Sequence, residues 1–138
     1  GGGGVYHSMG HVRYCLSHPP LLDGCDAPSR GIVVLLHGVS MTCDIWSPYI
    51  GSLNKAGWTV LAYDMWGHGD SAVPQDVRYT PIFLCQQLES LLHAQSLSSP
   101  VHLVGFSLGC YVAALFAATL PHCTSSVTLI APAAGFNA

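Results

Sequence analysis

Short runs that are apolar throughout alternate along this chain with longer segments in which apolar residues recur every three or four positions. Ile32-Val33-Val34-Leu35-Leu36, bounded by Gly31 and Gly38, and Thr59-Val60-Leu61-Ala62-Tyr63 are β-branched, nearly continuous apolar runs. Val101 to Val104 and Val127 to Ile130 are two more. Runs of this length and composition predict strands buried on both faces of a sheet. A weaker alternation over His11-Val12-Arg13-Tyr14-Cys15-Leu16 predicts a further strand near the start, followed by a loop rich in Pro, Gly and Asp through Arg30.

Between the runs the period changes. Trp46 to Lys55 carries Ile50 and Leu53 on one side and stops before Gly57, which predicts a helix closed by a C-terminal glycine. Thr80-Pro81 has the chemistry of a helix start, Thr as N-cap and Pro in the first turn, and Leu84, Leu88, Leu91 and Leu92 follow at helical spacing. Leu108 to Leu120 predicts a third helix, with Leu108, Val112, Leu115, Phe116 and Thr119 on one face and Ala113, Ala114, Ala117 and Ala118 keeping the remainder slim. A helix so apolar is expected to be buried on most sides. Strands alternating with helices imply an α/β fold, a mostly parallel sheet wound by right-handed crossovers with helices on both faces. In such sheets ligands collect at the carboxyl ends of the strands.

With 138 residues there is room for one modest domain. Only 8% of residues are charged, about a third of the share usual in soluble domains, which predicts that much of the surface is covered by something else. A net charge of −3 with four Lys and Arg argues against nucleic acid and against polybasic membrane anchoring. No apolar run reaches the ~18 residues that a transmembrane segment needs, and a cytoplasmic protein is expected. Gly1 to Gly4 read as a clipped start or a flexible lead-in. The six cysteines show no metal-ligand spacing and predict buried thiols in a reducing compartment; no metal and no cofactor are expected.

The chemistry concentrates in three loops that leave strand ends. Gly105-Phe106-Ser107-Leu108-Gly109 joins the third buried run directly to the slim helix. The G-x-S-x-G pattern alone has little specificity in a chain with 15 glycines. Its setting, strand before and helix after, makes it a nucleophile elbow in which a sharp turn exposes the Ser107 hydroxyl and glycines remove Cβ atoms where backbones crowd. The alternative is a Gly-bounded turn with Ser107 as an ordinary N-cap. His37-Gly38-Val39 follows the first buried run, where an elbow-type site draws one of its two oxyanion-binding amides. Val39 and Leu108 are the candidate donors, and His37 reads as a loop histidine that bonds nearby backbone and fixes the turn. Asp64-Met65-Trp66-Gly67-His68-Gly69-Asp70-Ser71 lacks the Lys-Ser/Thr ending and spacing of a nucleotide-binding loop. It reads as a structural turn in which Asp64 and Ser71 bond backbone donors.

Taken together, His37-Gly38, Asp64-x-x-Gly67-x-Gly69-x-Ser71 and Gly105-x-Ser107-x-Gly109, in this order and each after a strand, resemble the α/β-hydrolase superfamily, esterase- and monoacylglycerol-lipase-like. The resemblance covers Gly31 to Ile130. It implies Ser107 as nucleophile, the Val39 and Leu108 amides as oxyanion hole, and His37, Gly38, Gly105 and Gly109 as structural support. Because the elbow holds Ser and not Asp, the resemblance disfavours the epoxide-hydrolase and haloalkane-dehalogenase branches. It also implies a division into a lead-in with a possible strand or hairpin (1–30) and the N-terminal part of a hydrolase domain (31–138), reaching about the sixth family strand.

The family's catalytic acid and His come later in the sequence than its serine, and Ala131 to Ala138 contain neither. His37 precedes Ser107, while His93, His102 and His122 are expected away from the strand ends, on a helix, before a strand and after a helix. The expectation is therefore a serine hydrolase acting on a small-molecule carboxylic ester or related acyl substrate through an acyl-enzyme at Ser107, with acid and His beyond Ala138 and this chain alone inactive. Expressed alone, it is expected to aggregate or stay dynamic through an open apolar edge. The competing reading is a non-catalytic, hydrolase-like binding module for a small apolar ligand or a protein partner; acyl transfer and lyase chemistry share the same elbow.

Overall fold

A computed structural model of the chain describes residues 2–7, 9–20 and 28–132. Strand β1 (Gly2–His7) pairs antiparallel with β2 (Gly10–Ser17), so Gly2 to Gly4 lie in a hairpin rather than a flexible lead-in, while Gly1 is outside the described residues. The other strands are β3 (Ile32–Leu36), β4 (Thr59–Tyr63), β5 (Val101–Phe106) and β6 (Thr124–Ile130). The helices are α1 (Ser47–Lys55), α2 (Pro81–Ala94) and α3 (Leu108–Thr119), with short 3₁₀ turns over Cys43–Trp46 and Pro121–Cys123. The strands form one sheet of order β1-β2-β4-β3-β5-β6. Pairing is antiparallel at β1, β2 and β4 and parallel from β4 through β3 and β5 to β6.

The two-faced burial of the central runs follows from their period-2 alternation. Ile32, Val34 and Leu36 with Leu61, Tyr63, Val101 and Leu103 point toward α2 and α3, while Val33, Leu35, Val60, Ala62, Val104 and Phe106 point toward α1. All five residues of β3 and of β4 are buried, as a central parallel strand covered on both sides requires. Thr80 caps α2 as its sequence predicts, its hydroxyl accepting from the Phe83 amide at 3.1 Å with Pro81 behind it. Gly57 closes α1 at φ +100°, where an L side chain would be strained.

Four expectations need correction. The helix expected from Trp46 begins at Ser47, because Cys43–Trp46 winds as a 3₁₀ turn capped by Thr42. Strand β6 begins three residues before Val127, since the polar stretch Thr124–Ser126 also pairs with β5. His102 lies inside β5, where it bonds the Ser126 hydroxyl, rather than before the strand. The slim helix α3 buries Leu108, Cys110, Val112, Ala113 and Phe116 but leaves Ala114, Ala118 and Thr119 exposed, so one stripe is uncovered. Packing against both α2 and the sheet shields only the stripes that face them. Strand β6 ends the sheet, and Val127, Leu129 and Ile130 on it are 37 to 48% exposed. Among the described residues no helix is long and apolar enough to cross a membrane.

Candidate active site

Parallel pairing of β4, β3 and β5 brings their carboxyl ends to one edge of the sheet. Leu35 lies beside Ala62, and Leu36 beside Gly105. The residues that leave this edge are therefore His37, Asp64 and Ser107, the heads of the three loops singled out in the sequence.

Ser107 stands between β5 and α3 at φ +53°, ψ −113°, a region that costs an L residue about 1–3 kcal/mol and persists only where the surroundings impose it. The surroundings here are unusually close. A Cβ at Gly109 would fall on the Leu36 carbonyl, and one at Gly105 would fall on the Gly109 carbonyl and the Cys110 amide. The strand, the turn and the helix can approach this tightly only with glycine at both positions. The Ser107 amide donates to the Ile130 carbonyl at 3.1 Å, and its carbonyl accepts from the Cys110 amide at 2.9 Å, pinning the turn on both sides. An N-cap serine has extended backbone and accepts a hydrogen bond from the first turn. Ser107 does neither, so the ordinary N-cap alternative does not describe it.

Gly38 packs against this turn: a Cβ there would stand 3.1 Å from Ser107 Cβ and 3.3 Å from the Phe106 ring. The loop carrying Val39, a residue 52% exposed, thus lies directly beside the elbow. His37 is fully buried. Its Nε2 accepts from the Met65 amide at 2.9 Å, which leaves the ring proton on Nδ1, 2.8 Å from the Gly38 carbonyl that it donates to. Burial pushes its pKa below the usual histidine value, outweighing the Gly38 bond, and keeps the ring neutral. A ring with both nitrogens committed to backbone fixes the turn and has no atom left for proton transfer.

The third loop is the frame. Asp64 is fully buried; its Oδ1 accepts from the Cys43 amide at 2.7 Å and its Oδ2 from the Asp70 amide at 3.0 Å. Burial alone would raise its pKa, but these amides and the Arg13 guanidinium hold it below the usual carboxylate value. The Ser71 hydroxyl donates to the Asp64 carbonyl at 2.6 Å and accepts from the Arg13 amide at 3.0 Å. Gly69 sits against the Asp64 carboxylate, where a Cβ would overlap it, at φ +50°. Two residues that sequence reasoning missed complete the frame. Buried Gln87 on α2 accepts from the Trp66 amide at 2.9 Å and donates to the Asp64 carbonyl at 3.1 Å, and Arg13 on β2 bridges Asp44 and Asp64. The only advance signal for Gln87 is a polar residue inside the leucine stripe of α2.

The thiols are spread through the molecule. Cys43, Cys85 and Cys110 are buried, Cys15 is half-buried, Cys123 is exposed, and all five are free; Cys25 lies outside the described residues. Burial pushes the Cys43 thiol up to about 12 and the Cys85 thiol up to about 11, so neither is a nucleophile at neutral pH. His102 is far from the loops, near the amino end of β5, bonded to the Ser126 hydroxyl at 2.7 Å and set edge-on to Trp58.

A mostly parallel sheet that carries a strained serine on a strand-to-helix turn, with a glycine loop packed against it, defines the α/β-hydrolase architecture. Residues 31–137 match the family model described as "alpha/beta hydrolase fold", and the chain belongs to that family. It is 33% identical over 111 residues to Probable lysophospholipase BODYGUARD 1 of Arabidopsis thaliana, covering 78% of this chain and 24% of that protein. It is 30% identical over 129 residues to monoacylglycerol lipase abhd6-B of Xenopus laevis, covering 93% of this chain and 36% of that protein. A crystal structure of a hydrolase from Pseudomonas aeruginosa superposes with a TM-score of 0.78 at 26% identity, over 93% of this chain and 44% of that one. The chain therefore spans from about a quarter to somewhat under half of the length of these relatives.

Proposed function

We propose that the whole protein is a serine hydrolase that cleaves a carboxylic ester or related acyl substrate through an acyl-enzyme at Ser107. The observation that carries this reading is the Ser107 backbone at φ +53° between β5 and α3, held by Gly105 and Gly109. Starting a helix does not require strain of this kind, since an N-cap serine does so unstrained. A nucleophile elbow uses such a turn to aim its hydroxyl outward at the carboxyl edge of the sheet.

In this reading a base takes the Ser107 Oγ proton as Oγ bonds to the acyl carbon. The carbonyl electrons move onto its oxygen, where the Val39 and Leu108 amides stabilise the negative charge. The tetrahedral intermediate collapses, the C–O bond to the leaving alcohol breaks, and the alcohol takes the proton back from the base. Water then repeats the sequence on the acyl-enzyme and releases the acid. The base is not His37, whose ring nitrogens are both engaged with backbone. In this reading the base His and its acid lie outside residues 1–138, and these residues alone are expected to turn over no substrate. The lysophospholipase and monoacylglycerol lipase among the similar proteins support an ester as substrate. The free buried thiols support a cytoplasmic setting.

Hydrolysis of short-chain p-nitrophenyl esters by the whole protein tests the proposal. The expected result is turnover that Ser107→Ala lowers by about a thousandfold or more. Ester turnover unchanged by Ser107→Ala would overturn it, and binding of an apolar ester without turnover in either protein would favour the binding-module reading instead.

A further inference from the structure

We propose that Arg13 is a positioning residue for catalysis: its guanidinium, by tying Asp44 to Asp64, holds the loop that presents the Val39 amide to the Ser107 site. The proposal rests on the reading of Ser107 as nucleophile. Arg13 lies on β2, outside the region that matches the family model.

The loop in question runs from His37 to Thr42 and is secured at both ends by the Asp64–Ser71 loop. At its start, His37 Nε2 takes the Met65 amide; at its far end, the Cys43 amide donates to Asp64 Oδ1. The second anchor is strongest with Asp64 ionised while fully buried, and a buried carboxylate needs both hydrogen bonds and a counter-charge. Arg13 supplies the charge, with Nη1 3.3 Å from Asp64 Oδ2. The same guanidinium grips Asp44, the residue next to Cys43, through both oxygens: Nη2 to Oδ1 at 2.7 Å and Nη1 to Oδ2 at 3.1 Å. One rigid fork therefore spans the carboxylate that accepts the anchor and the residue adjoining its donor. The Arg13 backbone is fixed to the same frame, its amide donating to Ser71 Oγ and its carbonyl accepting from the Asp64 amide at 3.0 Å. Asp70 is a looser third partner, 3.9 Å from Nε.

Lysine cannot reproduce this arrangement. An ammonium is a point charge, whereas two carboxylates joined across one residue need a planar fork with several donors. Removing the guanidinium leaves buried Asp64 without a counter-charge, so it takes up a proton more readily and holds the Cys43 amide less tightly. Among the described residues, the titratable groups around Asp64 are Arg13 from β2, His37 with His68 behind it, Cys43 and Asp44 from the 3₁₀ turn, and Asp70. His37 is held neutral and Cys43 protonated by burial, so neither offers Asp64 a positive charge in place of Arg13.

The test is the second-order rate of inactivation of the whole protein by a fluorophosphonate, read with the final occupancy of Ser107, for wild type, Arg13→Gln and Arg13→Lys at pH 6 and pH 8. Arg13→Gln should reach the same final occupancy at least about tenfold more slowly at pH 8, in line with a displaced oxyanion donor, and the deficit should grow at pH 6. A deficit equal at both pH values, or no deficit, overturns the proposal while leaving the Ser107 reading intact. If wild type itself is not modified at Ser107, both fail together. Should Arg13→Gln not fold, Arg13→Lys decides: a rate about threefold or more below wild type supports the forked tie, and a wild-type rate contradicts it.

Discussion

Met65 donates its backbone N–H to Nε2 of His37 across 2.9 Å, joining the loop after β4 to the loop after β3 through a side chain that has no access to solvent. The bond assigns the tautomer, and through Nδ1 and the Gly38 carbonyl it assigns the shape of the turn beside Ser107. A histidine next to a candidate nucleophile thus works as a bracket.

The bracket makes a stability prediction. His37→Phe leaves the buried Met65 amide unpaired and should cost about 2–3 kcal/mol, measured by urea unfolding of the whole protein. A cost below about 0.5 kcal/mol, the scale of a surface change, would mean that the turn is held some other way.

The same residue predicts a pH dependence. Burial lowers the folded-state pKa of His37 below its unfolded value of about 6.5. The unfolded chain therefore binds the extra proton first, so this contribution is fully present above about pH 6.5 and is lost as the pH falls toward the folded pKa. Unfolding free energy measured from pH 7.5 to pH 5 should decline, and the decline should be shallower in His37→Gln. A parallel pair of curves would remove His37 as the cause.

Glycines separate cleanly into those that must be glycine and one that need not be. Gly109→Ala and Gly105→Ala place a Cβ on backbone atoms of Leu36 and of Gly109, where nothing flexible can yield, and should each cost about 3 kcal/mol or more. Gly51→Ala in α1 meets nothing within 4 Å and should stabilise the protein by about 0.5–1 kcal/mol through helix propensity. Thermal unfolding of the three variants side by side checks the contrast.

Ser107→Gly relieves the φ +53° strain and should raise stability by about 1 kcal/mol even though it deletes a side chain. Calorimetry on the variant checks the sign. A loss of stability would show that the serine side chain makes packing contacts worth more than its backbone strain.

Residues 1–138 on their own should self-associate through β6, whose Val127, Leu129 and Ile130 are exposed at the end of the sheet. Size-exclusion chromatography of that piece should show soluble oligomers or aggregate, reduced by Val127→Lys with Leu129→Lys. A monomer unaffected by these changes would contradict the expectation.

The parts of this fold that could be read from sequence are those set by local periodicity. Ile32–Leu36 and Thr59–Tyr63 announce buried parallel strands because every position but Thr59 is apolar, and Thr80-Pro81 announces a helix start because its chemistry is complete within four residues. The loops at the strand ends were legible for the same reason, through glycines whose need for bare Cα atoms is written in single positions. Contacts between distant elements were not legible. Arg13 reaches Asp64 across 51 residues of chain and Gln87 reaches the same residue across 23, and neither carries a local pattern that marks its partner. Periodicity likewise overstated the burial of α3, since apolar Ala114 and Ala118 report helix propensity as readily as burial.

The proposed chemistry turns on one atom, the hydroxyl oxygen of Ser107. The most direct measurement is peptide mapping by mass spectrometry after treating the whole protein with a fluorophosphonate. The expected result is one adduct on the peptide containing Gly105-Phe106-Ser107-Leu108-Gly109, absent from Ser107→Ala. An adduct on a different residue, or an active ester hydrolase left unmodified at Ser107, would contradict it.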